Sequence, residues 1–362
     1  MLSCMHCRAS AQWASGPDEL TTAEGMAFLD HLADFGKPSP VLVMTGGDCL
    51  MRDDIIPLAA HARELGLHVA ISPSVTGRLE AGTLGALRDA GIKTASVSLD
   101  GASPGTHDAV RGVPGHLSAT LLAIELLHSC GFTVQVNTTV MRKNLAEMAE
   151  VFALISGLGV AIWEVFFLIN TGRGTAVEAL GAAENEAVCH FLVDAARYGM
   201  IVRTVEAPFY RRVLTERRAQ ELDAPPSHLE DGGLYRRLHQ ELVTCMGAPS
   251  RPVPGSGVST RDGNGVIFVG NNGDIYPSGL LPLRLGNIRE ASLVSTYRDN
   301  SLLQDIRSSR FSGACGTCPY SGLCGGSRAR AYAATGDPLG EDPGCVLAGS
   351  RSLAVPAPLA VR

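Results

Sequence analysis

The sequence is short of lysine, of aromatic rings and of long apolar runs, and each shortage excludes something. Only Lys37, Lys93 and Lys143 accompany the arginines in a set of 30 basic residues against 36 acidic ones, giving a formal net charge of −6. The basic residues are scattered, so no nucleic acid is expected as a partner. Aromatic residues make up 5% of the chain. No apolar run approaches the ~20 residues a membrane helix needs; "VAIWEVFFLI" at 160–169 is short and broken by Glu164. No membrane partner is expected, and the "LSC" before Cys4 is a poor lipidation signal without a basic and apolar segment ahead of it. Neither GxGxxG nor GxxxxGK[ST] follows a strand, which argues against an ordinary dinucleotide-binding or phosphate-loop domain. Ten cysteines in a chain read as cytoplasmic point to reduced thiols and metal chemistry rather than a disulfide framework.

What is present is a repeat. The 362 residues, 45% hydrophobic and 18% charged, suffice for one large domain and a small one. β-rich runs at 41–45, 67–72, 94–99, 132–138 and 161–168 alternate with helical stretches at 22–35, 53–65, 79–90, 116–130 and 144–157. Each strand run reads as apolar on both faces, as in a parallel sheet covered by helices. The fold class is α/β, and a complete or partial barrel is favoured over a doubly wound sheet.

In such arrays function collects at the C-terminal strand ends. Here these ends carry Thr45-Gly46-Gly47-Asp48, Ser98-Leu99-Asp100-Gly101, Asn137-Thr138-Thr139 and Thr171-Gly172-Arg173-Gly174. Singly each reads as a turn; together at one rim they suit a ligand with amino and ribose groups approaching the backbone closely. Further on, "GVIFVGNNGDIYPSG" reads as a hairpin about Asn271-Asn272-Gly273. Then come Cys315-x2-Cys318-x5-Cys324 and Cys345. Four thiolates hold zinc or an iron–sulfur cluster, and a single close pair favours iron–sulfur.

The N-terminal Cys4-x-His6-Cys7 resembles the last part of the CxxxCxxC loop of radical S-adenosylmethionine (SAM) enzymes. His6 stands where those enzymes place an aromatic ring beside the adenine. Gly46-Gly47-Asp48 resembles their GGE motif for the methionine amino group, and Ser98 with Asp100 their ribose-binding strand, with Asn137 at the same rim. The resemblance implies a partial (βα)6 TIM-like barrel, a [4Fe-4S] cluster on Cys4 and Cys7, and reductive cleavage of SAM to a 5′-deoxyadenosyl radical. It implies an electron donor such as flavodoxin or ferredoxin. The first cysteine of the motif would fall one residue before Met1, and only five of the family's six strands are readable, the first being the one that lacks a counterpart. A start assigned too far downstream is preferred over a paralogue that has lost its radical cluster, because so much of the SAM-binding pattern agrees. Cys49 is a substitute ligand in principle; it, Cys130 and Cys189 read as packing residues.

The C-terminal segment resembles the SPASM domain of radical SAM maturases. That resemblance places Cys315, Cys318, Cys324 and Cys345 on one auxiliary [4Fe-4S] cluster. Ser278 and Arg328 stand where the other auxiliary cluster's cysteines are expected, leaving Cys245 as its remnant. The expected domains are 1–206, a partial barrel; 207–264, a bridging segment or lid; 265–350, a SPASM-like domain; and 351–362, a tail. The tail of the cysteine motif is similar to tetrapyrrole-processing members, which implies a cofactor precursor as substrate. Maturation of a ribosomal peptide is the alternative, and a catalytically lapsed protein keeping only the auxiliary cluster is a third reading. Arg173, Arg328 and Arg330 are candidate partners for propionate or peptide carboxylates.

Overall fold

The computed structural model describes residues 4–8, 16–176, 178–219, 233–255 and 260–349. Its centre is a parallel sheet of β1 (Val41–Met44), β2 (His68–Ile71), β3 (Thr94–Ser98), β4 (Thr133–Val140), β5 (Ile162–Phe167) and β6 (Ile201–Val205), paired in that order. Because the order never reverses and each connection carries a helix, the sheet curls one way into an open half-barrel. The helices are α1 (Thr22–Leu32), α2 (Ile55–Glu64), α3 (Ala81–Asp89), α4 (Pro104–Arg111), α5 (His116–Ser129), α6 (Met148–Gly157) and α7 (Ala182–Ala196). Thr21 caps α1, its hydroxyl accepting from the Glu24 N–H while the Glu24 carboxylate takes the Thr21 N–H, a reciprocal capping box.

Three sequence expectations need correction. The sheet has six strands rather than five: in "IVRTV" Arg203 and Thr204 interrupt a short apolar run, which hides β6 from a reading of apolar periodicity. Among the described residues no strand precedes Val41. Nor are the strands apolar on both faces. In β4 and β5, Val134, Val136, Trp163 and Val165 are fully buried, while Gln135, Asn137 and Glu164 alternate with them and are half-buried. Trp163 meets Phe152 of α6 and Phe191 of α7, so the apolar face is the convex, helix-covered one and the polar face is the concave one. A half-barrel needs only one dry side.

The third correction concerns 207–264. This stretch contains α8 (Tyr210–Ala219) and α9 (Leu234–Met246), which pack on α7 and, for α9, on α6. Tyr210, Val213, Leu214, Tyr235, Leu238 and Leu242 join the main core. Tyr235, Leu238 and Leu242 recur at helical spacing among charged neighbours, an amphipathic stripe that charge content concealed. Within the described residues it is a helical layer rather than a bridge; 220–232 and 256–259 lie outside them, as does the expected tail 351–362.

The C-terminal part holds β7 (Arg261–Asp262) beside β8 (Gly265–Val266), and an antiparallel sheet of β9 (Phe268–Val269), β10 (Asp274–Tyr276) and β11 (Gly286–Asn287), ordered β11-β10-β9. Its Asn271-Asn272-Gly273 turn needs glycine, with φ +84° at Gly273. Five short helices follow: α10 (Leu293–Asp299), α11 (Ser301–Arg307), α12 (Gly313–Thr317), α13 (Arg328–Thr335) and α14 (Val346–Gly349). This part is fastened to the barrel by Arg289 on Glu24, by Asn185 Nδ2 donating to the Gly344 carbonyl, and by the Ser327 hydroxyl donating to Glu206.

Candidate functional site

Cys4 to Cys7 form one tight turn, closed by the Cys7 N–H on the Cys4 carbonyl at 3.2 Å. Two elements grip it from outside. The end of α4 offers the Val110 carbonyl to the Met5 N–H at 3.0 Å, and Arg111 Nη1 donates to the Cys4 sulfur at 3.4 Å. The 3₁₀ turn Gly172–Ala176 after β5 places the Arg173 N–H on the Cys7 carbonyl at 3.0 Å and Arg173 Nε on the Cys4 carbonyl at 2.9 Å. Glycine is required in that turn: Gly172 has φ +55°, and a Cβ there would collide with the Arg8 carbonyl.

Asp100 anchors the turn. It is wholly buried, and its carboxylate accepts from His6 Nε2 at 2.9 Å, Arg111 Nη2 at 2.7 Å and the Thr139 N–H at 2.7 Å. Burial alone would push this carboxyl up; Arg111 and His6 overcome it and hold it well below the usual carboxylate range. The Asp100 loop is fixed by its own N–H on His107 Nδ1 at 3.0 Å and by Asn144 Nδ2 on its carbonyl at 2.9 Å. Thus His6, Asp100 and Cys4 come together, with Asp100 facing His6 and Arg111. Ser98 and Asn137 are register partners on the concave face. Gly46, at φ +143°, and Gly47 have open space where a side chain would stand. Asp48 accepts from the Leu50 N–H, the Ser74 N–H and the Thr76 hydroxyl at 2.9–3.3 Å, which fixes its carboxylate at the rim. Cys49 is buried beside it and joins the main hydrophobic core, its thiol pushed up to about 12 by burial and then by Asp48.

The C-terminal cysteines lie on α12 and the loops flanking α13. Cys315 accepts from Arg328 Nη2 at 3.7 Å and the Asp342 N–H at 3.4 Å, Cys324 from the Gly326 N–H at 3.4 Å, and Cys345 from the Leu347 N–H. Donors aimed at sulfur suit thiolate ligands of a cluster, which such bonds also tune. Burial pushes Cys324 up to about 12 and Cys345 up to about 11, so an arriving metal must displace their protons. No three His, Cys, Asp or Glu among the described residues converge on one metal ion. Ser278 is buried and accepts from the Leu280 and Leu281 N–H groups, while Cys245 is exposed on α9. The arginines expected to meet a substrate carboxylate are spent elsewhere. Arg328 donates to Gly326, Pro338 and Gly340 carbonyls, Arg330 pairs with Asp342 at 3.0 Å, and Arg173 clasps the Cys4 turn.

Residues 1–155 match the Radical SAM superfamily. The AdoMet-dependent heme synthase of Methanosarcina barkeri is 34% identical, over 95% of this chain and 93% of that protein. This chain belongs to the radical SAM superfamily. It is therefore an enzyme of a family that uses a [4Fe-4S] cluster and SAM. The mycofactocin maturase MftC of Mycobacterium tuberculosis is more distant, at 28% over 95% of this chain and 80% of that one. Among solved structures, Streptococcus suis SuiB shares the fold, with TM-score 0.65 at 16% identity over 95% of this chain and 74% of that one.

Sequence reasoning missed four residues of this radical SAM chain that the structure makes prominent. Arg111 is buried between Cys4 and Asp100, and its spacing four residues after His107 put both on one helix face. Glu164 and Arg203 stand on the concave face; the signal was a carboxylate inside an otherwise apolar strand run. Glu206 leaves β6 with φ +60°, unusual for a non-glycine residue. Burial and Asp262 raise its carboxyl well above the ordinary value.

Proposed function

We propose that this chain performs radical modification of a carboxylate-bearing tetrapyrrole precursor. The observation that carries the reading is 34% identity to a protein named AdoMet-dependent heme synthase, sustained over nearly the full length of both chains; the peptide-type maturase is more distant. Cys4 and Cys7 would hold the radical cluster, whose described ligands fit in donor chemistry and supply two of the three thiolates. Bound there, cluster and SAM supply the radical that takes a hydrogen atom from the substrate. Gly46, Gly47 and Asp48 bind the methionine end of SAM, and Ser98 with Asn137 its nucleoside end. Asp100 and Arg111 hold the Cys4 turn and His6 in place. Cys315, Cys318, Cys324 and Cys345 hold one auxiliary [4Fe-4S] cluster, a set of four that leaves no iron open for substrate. The zinc alternative is disfavoured by the spacing, since structural zinc commonly uses two close cysteine pairs and only Cys315 and Cys318 are close here. A flavodoxin- or ferredoxin-type protein supplies electrons.

The test uses the chain extended to carry a cysteine four residues before Cys4, reconstituted anaerobically. SAM cleavage should be slow alone and at least several-fold faster with an iron porphyrin bearing propionates. Acceleration only by a peptide substrate would overturn the reading.

A further inference from the structure

The concave face carries one continuous polar row. Ser98 of β3 stands opposite Asn137 of β4, Asn137 opposite Glu164 of β5, and Glu164 opposite Arg203 of β6. The first two belong to the proposed SAM site; nothing has yet been asked of the last two. Adjacent strands lie ~4.8 Å apart, so Arg203 is about 10 Å from Asn137 along the sheet. A SAM nucleoside over Ser98 and Asn137 therefore leaves the Glu164–Arg203 end of the row uncovered.

Arg203 is exposed, and among the described residues it makes no ion pair and no side-chain hydrogen bond. The arginines near the proposed sites differ: Arg111 is held by Asp100 and Cys4, Arg173 Nε by the Cys4 carbonyl, Arg328 by carbonyls and Cys315, and Arg330 by Asp342. Glu164, directly opposite, interacts with it electrostatically but forms no ion pair with it among the described residues. The Glu164 carboxylate group accepts from Gln135 Nε2 at 3.0 Å, and the same nitrogen donates to Asn137 Oδ1 at 2.8 Å, so Gln135 ties Glu164 to the cofactor end of the row.

We propose that Arg203, with Glu164 beside it, is the receptor for a substrate carboxylate on the concave face of the half-barrel. Arg203 supplies the charge-assisted hydrogen bonds that a carboxylate accepts through both oxygens. Burial raises the Glu164 carboxyl, with Arg203 and Gln135 offsetting only part of that rise. A carboxyl raised in this way competes less for the guanidinium than an ordinary carboxylate would, which leaves more of the positive charge of Arg203 to an anion. The arrangement suits a substrate whose anchoring carboxylate and reacting carbon are held apart by a rigid body. This inference rests on the tetrapyrrole reading and specifies which residues grip the macrocycle's periphery.

The test is a two-by-two comparison on the reconstituted full chain. Dissociation constants are measured by absorbance for an iron porphyrin with free propionates and for its methyl ester, with wild type and Arg203→Ala, folding being verified by thermal melting. Arg203→Ala should weaken the free acid ~10-fold or more while changing the ester by less than about twofold. Arg203→Lys should recover part of the loss, and Glu164→Gln, which keeps a neutral donor, should retain acid binding. Equal losses for acid and ester, or none for either, would overturn the receptor assignment alone. Failure of the wild type to bind either porphyrin would sink the tetrapyrrole reading and this inference with it.

Discussion

The two cysteine regions are built by opposite strategies. The C-terminal set receives its sulfur hydrogen bonds from nearby chain: Gly326 lies two residues from Cys324, Arg328 thirteen from Cys315, and Asp342 twenty-seven from Cys315. The Cys4–Cys7 turn is shaped by residues more than a hundred positions away, Val110 and Arg111 at the end of α4 and Arg173 after β5. A region organised by local contacts forms as a unit, whereas one organised by distant contacts exists only once the barrel is assembled. The C-terminal sulfurs should therefore keep their hydrogen bonds more readily than the N-terminal turn does, while Gly344 and Ser327 beside them also dock on the barrel.

The largest effect that would break this contrast is expected at Cys345. Cys345→Ala in anaerobically reconstituted protein should remove most of the bound iron, because three remaining thiolates no longer close the set. Iron and sulfide analysis would show it; iron content near the wild-type value, or zinc dominating when both metals are offered, would mean that the C-terminal assignment is wrong.

Next in size is the clasp. Gly172→Ala drives a Cβ into the Arg8 carbonyl, and Arg173→Ala removes the Nε bond to the Cys4 carbonyl while keeping the backbone N–H on the Cys7 carbonyl. Either change should raise the alkylation rates of Cys4 and Cys7 in metal-free protein by roughly fivefold, since one hydrogen bond contributes ~1 kcal/mol. Cys315 and Cys324 serve as internal controls and should be unaffected. Uniform acceleration at all four would show that the two regions are not independently held.

The smallest effect lies at the junction between them. Glu206, at the end of β6, accepts from the Ser327 hydroxyl and faces Asp262, and burial first, then Asp262, raises its carboxyl well above the ordinary value. A carboxyl raised in the folded state keeps a proton that the unfolded chain releases above about pH 4.5. Its contribution is present below that pH and is lost as pH rises toward the folded value, at most about 1.4 kcal/mol per pH unit. Glu206→Gln should therefore gain stability relative to wild type between pH 5 and pH 8, measured by denaturant unfolding. A pH-independent difference would show that Glu206 is ionised in the native protein.

Much of the barrel was legible because its strands and helices advertise themselves by period. The runs at 94–99 and 161–168 fall within a residue of β3 and β5. α7 to α9 and β6 were not legible: α7 is buried almost all round, which erases a stripe, and Arg203 and Thr204 break the short apolar run of β6. At the site, the sequence located the cysteine sets and the glycine-rich rim by residue chemistry and spacing. It misjudged the arginines, because a guanidinium's partner is chosen by packing and not by its neighbours in the chain.

By itself the sequence determined the repeating βα units, the glycines at the rim turns and the two groups of cysteines, since propensity, turn geometry and ligand chemistry act over a few residues. Only the tertiary structure decided which side of the sheet is wet, that Asp100 turns toward His6 and Arg111, that Arg173 clasps the Cys4 turn, and that Arg203, facing Glu164, makes no ion pair or side-chain hydrogen bond among the described residues. Those outcomes depend on burial and on contacts between residues a hundred or more positions apart, where the dielectric and the competing partners are set by the assembled fold.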